Sequence, residues 1–328
     1  MLRLLQNIKP SSALWVLLLG FLLRTPFVYL YPTSPPVFDS PFLPDFFRWI
    51  AQNPLWNNLG ATTLVCLAAL LLNRVCINQD VIYTHSYLPA WFYVLTSSMI
   101  PEQLNLHPLL FANVFILIGF NFLFSLFLYE GPSVLIYLTA MSFGAAAMFR
   151  LQLLALLLFL LGAIILMKRI TLKDLLATLL GIMMPVYLLL SFWYLFGSAT
   201  GNSLRFFPGG IASTNGNIFG LWPYLLCLLL VFLSFFKVFA NFFKNNIRTR
   251  RINQVLIFFF AYCLIFILFG GTGRLNIDIS LLFIPTAVFI AYLLVGSKLM
   301  RIKSVTNLLL LFSILISLYG SLLVKLFE

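Results

Sequence analysis

Apolar residues come in long unbroken runs along this chain, with no period of two and with polar residues confined to the gaps. A bilayer core of about 30 Å is crossed by about 20 helical residues at 1.5 Å each. On that ruler eleven spans fit the runs: about 12–32, 57–76, 82–100, 106–128, 132–149, 151–167, 175–197, 218–240, 252–270, 276–296 and 304–325. Backbone groups in hydrocarbon must be satisfied within their own segment, so the runs are predicted as helices. A transmembrane β-barrel would alternate in polarity, which the runs do not. The run at 134–167 is interrupted only by Arg150 and Gln152. One helix of that length would reach about 51 Å, so two helices with a tight turn near Arg150 are expected. The fold class is therefore all-α, a polytopic integral membrane protein forming a single transmembrane domain.

Composition agrees with the pattern: 62% of residues are hydrophobic and 9% charged, against about 45–50% and about 25% in soluble domains. The net charge of +12 would point to nucleic acid in a soluble protein. Here it sets orientation, because Lys and Arg are retained on the cytoplasmic side. With the N-terminus inside, cytoplasmic segments carry fourteen basic residues and outer segments five. A bacterial inner-membrane location is expected, and nucleic acid is not an expected partner. The first apolar stretch is long, contains Arg24 and lacks a small-x-small cleavage site, so it is read as a retained span. Cys66, Cys76, Cys227 and Cys263 lie in or at the ends of apolar runs, and are read as small buried hydrophobes.

Candidate chemistry lies in the gaps assigned to the outer face. Residues 33–56 are rich in proline and then turn amphipathic at "DFFRWIAQ". That reads as a short interfacial helix, capped by Asp45, with Phe46, Trp49 and Ile50 on one face. Residues 198–217 form a polar loop. "GGTGR", ending at Arg274, reads as a tight glycine turn. The competing reading has its backbone N–H groups and Arg274 holding a lipid phosphate. For an enzyme acting on a lipid-linked donor, Asp39 is the first candidate for the general base and Asp45 the second. Arg24, Arg205 and Arg274 are the phosphate candidates. Arg24 is the sharpest of these. A charge inside a span costs at least about 2.5–3.5 kcal/mol, so it should face the bundle or a wet cavity. The alternative is that it snorkels to the outer headgroups. Asp80, His85 and Tyr87 form a polar patch at the inner end of the third span. His85 and His107 are assigned to opposite faces, so no metal site is expected. No GxSxG, HExxH or Walker lysine occurs, and no cofactor is expected.

Residues 129–197, with the "LLGIMMP" run, resemble a family of uncharacterised Bacteroidota inner-membrane proteins. "LHPLLFANVFILIGFNFLFSLF" and "LLFIPTAVFIAYLLVG" fit the same pattern. Members carry basic residues after the fourth span, whereas "FNFLFSLFLYEG" has none. The resemblance implies a multi-pass architecture and carries no activity. A weaker similarity runs to membrane glycosyltransferases that use polyprenyl-phosphate sugars. Those enzymes place a catalytic acid in the first outer loop beside interfacial helices, and Asp39, Asp45 and "DFFRWIAQ" look like a short version. "RLNIDISLLFIPTAVFIAYLL" is similar to their arginine-then-proline pattern. The first loop here is much shorter, and no large outer domain exists. The expected function is handling of a lipid or lipid-linked substrate, such as a polyprenyl-phosphate sugar, at the outer leaflet. Alternatives are a non-enzymatic subunit assembling with other membrane proteins, or a transporter, which paired broken helices would favour.

Overall fold

A computed structural model describes residues 10–25, 44–82, 86–127, 132–168, 170–196, 218–241, 245–269, 275–295 and 305–316. Among these residues the structure is all helical. Helix α1 covers Pro10–Arg24, α2 Pro44–Ala51, α3 Pro54–Asn78, α4 Leu88–Ser98 and α5 Pro108–Ser125. They are followed by α6 (Pro132–Phe149), α7 (Leu156–Met167), α8 (Leu172–Phe196), α9 (Ile218–Ala240) and α10 (Ile247–Phe269). A single turn, α11 (Leu275–Asp278), leads into α12 (Phe283–Val295). The last described helix, α13, covers Val305–Ile316. Among the described residues three 3-10 segments interrupt the series, at Pro101–Leu104, Leu151–Ala155 and Ile279–Leu282.

Each of the eleven expected spans carries a helix. Four helices are long and apolar enough to cross a bilayer by themselves: Pro54–Asn78, Pro108–Ser125, Leu172–Phe192 within α8, and Ile247–Leu268 within α10. They make the chain a multi-pass membrane protein. The break expected near Arg150 is present: α6 stops at Phe149, and the chain passes through the 3-10 turn into α7.

Two expected spans have a different form. The third, 82–100, holds only the eleven residues of α4, and the tenth, 276–296, is divided into α11, a 3-10 turn and α12. Every residue of α4 is buried, and in α12 only Leu293 and Val295 are not. Hydropathy cannot distinguish a helix bathed in lipid from one enclosed by protein, which is why both read as full spans. The two pack on each other at the centre, against α3 and α9 respectively. The Trp91 indole N–H donates to Asn307 Oδ1 at 2.7 Å, tying α4 to α13.

Association of helices in lipid rests on close packing. Aromatic edges join α5, α6, α7 and α10: Phe120 and Phe259 lie 4.8 Å apart, and Phe159 and Phe259 5.0 Å. Helix α8 is held differently. Gly144 and Gly181 let α6 and α8 approach until their backbones touch, and a Cβ at Gly181 would lie 2.6 Å from the Cβ of Ala140. In the first turn of α8 the Asp174 side chain reaches back to Thr171, the return half of a capping box. Asp174 Oδ2 accepts from the Thr171 N–H at 3.0 Å and pairs with Lys168 Nζ at 2.8 Å, while Ser133 of α6 donates to Oδ1. Helix α3 ends in a Schellman motif. Val81 N–H donates to Cys76 O, Asp80 N–H donates to Ile77 O, and Asp80 takes φ 50°. Asp80, a member of the expected polar patch, is thus an exposed helix terminator, and His85 lies outside the described residues.

The interfacial segment is a helix, Pro44–Ala51, but its faces divide otherwise than expected. Phe47 and Ile50 point inward, while Phe46 and Trp49 are exposed. Phe47 meets Phe111 edge-on at 5.8 Å, and Phe111 stacks on Phe149 at 5.1 Å. Helix α2 therefore seats one i, i+3 pair on the bundle and presents the other outward. Asp45 is the second residue of the helix, two places inside the cap position expected for it.

Candidate functional site

The end of the bundle where α1 finishes contains a layer of polar side chains. It begins at Arg24, the last residue of α1, which is 0% exposed. Its Nη1 donates to Ser97 Oγ at 3.3 Å and faces the Ser97 carbonyl at 3.5 Å, and its Nη2 donates to the carbonyl of Gln103. All three acceptors are neutral. Arg24 therefore turns into the bundle, and the snorkelling alternative does not apply.

Gln103 carries the network onward. It sits in the Pro101–Leu104 turn, which two asparagines of α3 hold in place: Asn58 Nδ2 donates to Leu104 O at 3.2 Å, and Asn57 Oδ1 accepts from the Leu106 N–H. Irregular backbone at this depth needs such partners, because no lipid group can supply them. The Gln103 side chain bonds His107 Nε2 through Oε1 at 2.8 Å, and donates through Nε2 to Ile277 O at 3.2 Å. His107 is itself fully buried.

Ile277 precedes Asp278, which is 0% exposed and forms an ion pair with Arg150. Arg150 also donates through Nε to Gln152 Oε1, and its guanidinium lies 5.3 Å from the ring centre of Phe266, within cation–π range. Asn113 of α5 completes the layer, donating to Ser280 O at 3.1 Å and to Tyr93 Oη at 3.4 Å. Four places where helices stop thus meet: the end of α1, the turn after α4, the break at Arg150 and the break at Asp278.

The charges in this layer are unequal. Among the described residues Arg150 has a carboxylate beside it, whereas the acceptors around Arg24 are uncharged. Arg24 Nε and Arg150 Nη2 are both buried without a hydrogen-bond partner among those residues, as are Asn113 Oδ1 and Ser280 Oγ. A buried cation without an anion is costly. The arrangement is suited to receiving an anion with several acceptor oxygens, as phosphate has.

Of the residues singled out from sequence, Arg24 lies in this layer. The backbone of Asp45 is placed in α2. Asp39, Arg205 and Arg274, with the loop 198–217 and "GGTGR", lie outside the described residues. Gln103, His107, Arg150 and Asp278 were not expected to form a network. The available signal was that Arg150 and Asp278 interrupt or flank apolar runs assigned to the same outer side. Cys66, Cys76 and Cys263 are buried and Cys227 is half-buried, and all four are free thiols. Among the described residues no three His, Cys, Asp or Glu side chains come together as metal ligands.

No curated protein and no solved structure matches the chain. Residues 48–327 match a family of unknown function (DUF6427), and the chain, matched from α2 through its last helices, belongs to that family.

Proposed function

We propose that the chain is a bacterial inner-membrane protein of eleven membrane-embedded helices, with its N-terminus in the cytoplasm. It takes the phosphate of a lipid or lipid-linked substrate at the outer leaflet. The support for orientation is the basic bias, fourteen residues against five, which follows the positive-inside rule. The observation that carries the functional reading is Arg24, a fully buried guanidinium whose acceptors among the described residues are all neutral and whose Nε has no partner among them. A phosphate would supply the missing charge and take up the spare donors. If the reaction goes on to group transfer from a polyprenyl-phosphate sugar, Asp39 is the base and Asp45 its substitute. A transporter is the second reading, favoured by the two short, interrupted helices α4 and α12 packed together, a form known from transporter binding sites.

The test is binding of a polyprenyl phosphate to the purified full chain, read as ligand-dependent thermal stabilisation. Arg24→Leu is expected to weaken binding about 10- to 100-fold, corresponding to a charged hydrogen bond of about 1.5–3 kcal/mol. Arg24→Lys should keep part of the affinity. Equal affinity of wild type and Arg24→Leu would remove the phosphate reading. Turnover by Asp39→Asn would separate binding from catalysis, and uptake into reconstituted vesicles would identify the transporter.

A further inference from the structure

Helices α1 and α3 leave a groove between them on the outside of the bundle, lined by Leu17 and Phe21 on one side and Thr63, Leu67 and Leu70 on the other, with Arg74 at one end. The positions on α3 recur at three- and four-residue intervals and so form one stripe. Thr63 adds no polarity to the wall, because its hydroxyl donates to Gly60 O at 2.8 Å within the helix. Arg74 is exposed and makes no hydrogen bond or ion pair among the described residues. From Thr63 to Arg74 the stripe runs about 16 Å at 1.5 Å per residue. That is about half of a hydrocarbon core of about 30 Å, the depth of one leaflet.

We propose that this groove holds one acyl chain of an anionic phospholipid, with the phosphate of that lipid seated on Arg74. The groove is apolar along its length and ends in one cation that is unpaired among the described residues, which complements a lipid of a single negative charge. Arg74 is near the end of α3 opposite Asn57 and Asn58, which hold the buried polar layer. The lipid therefore belongs to the leaflet opposite that layer. The proposal stands for either orientation of the chain, and does not require the phosphate reading of Arg24.

The full chain, reconstituted in nanodiscs of equal parts phosphatidylglycerol and phosphatidylcholine, would be released and its retained lipid counted by native mass spectrometry. Wild type is expected to retain one phosphatidylglycerol in preference to phosphatidylcholine. Arg74→Gln should lower that retention about fivefold, the effect of one basic residue worth about 1 kcal/mol at an anionic surface. Leu67→Trp, at an exposed position, should fill the groove and displace the lipid while Arg74 is intact. Equal retention of the two lipids by wild type would overturn the proposal, as would wild-type retention by Arg74→Gln or Leu67→Trp. Loss on Arg24→Leu with retention by Arg74→Gln would likewise overturn it, placing the retained lipid at the buried layer and not in the groove.

Discussion

Asp278→Asn is expected to destabilise the folded protein by about 3–5 kcal/mol, the usual cost of removing one partner of a buried ion pair. The substitution is nearly isosteric, so the loss is electrostatic. It leaves Arg150, 8% exposed, with Gln152, the Phe266 ring and no anion among the described residues. A neutral amide cannot offset the desolvation of a guanidinium in a low-dielectric site. Replacing both partners removes the problem at its source. Arg150→Met with Asp278→Leu should therefore be more stable than either single variant, because apolar replacement of a buried pair is often neutral or stabilising. Thermal unfolding midpoints in one detergent measure all four proteins. A double variant that melts below both single variants would show that the ion pair itself, not the avoidance of a lone charge, stabilises this junction.

Gly181→Leu should have the second large effect, separation of α8 from the bundle. The first atom added at Gly181 would meet the Ala140 Cβ at 2.6 Å and the Tyr137 carbonyl oxygen at 2.7 Å. One is a Cβ fixed to its helix and the other is backbone, so neither can turn aside. Even Gly181→Ala is expected to cost about 1–3 kcal/mol as an overpacking change. Leucine is larger and forces the helix axes apart. Helix α8 has little else to hold it: its principal neighbour is α6, and most of its remaining surface faces outward. Leu180→Phe is the control, at an exposed neighbouring position, and should stay within about 0.5 kcal/mol of wild type. Cross-linking of cysteines placed on α6 and α8 would report the separation directly. Retention of the wild-type cross-link by Gly181→Leu would contradict the close-approach account.

What the sequence makes legible here depends on the range of the interaction. Run length and helix pitch suffice to locate the segments and to divide 134–167 at Arg150, because both are local. The cost of a charge in lipid suffices to turn Arg24 inward, although it does not say toward what. Its partners, Ser97 and Gln103, are 73 and 79 residues away, and a hydropathy profile marks them as polar without saying which distant group they meet. Arg150 and Asp278 are 128 residues apart, and as separate charges each resembles a loop residue. The outward face of α2 is not legible in the sequence for a related reason. Phe46, Phe47, Trp49 and Ile50 are all apolar, so amphipathicity alone cannot choose between adjacent i, i+3 pairs, and the choice falls to the Phe47 contact with Phe111.

The shortness of α4 has a consequence for how the protein is made. Eleven residues reach about 16 Å, about half of the hydrocarbon core. Such a segment cannot be left by the insertion machinery as a stable independent span, whereas α3 and α5 on either side can. Its principal partner, α12, is synthesised almost two hundred residues later. Until then the polar turn at Pro101–Leu104 has no Ile277 carbonyl to bond, and α4 must be sheltered by its neighbours, the translocon or a chaperone. The centre of the molecule is consequently the last part to be completed during biogenesis. In a force profile of the nascent chain, the pull associated with α4 should appear as α12 emerges; a complete pull before that point would show that α4 settles without its partner.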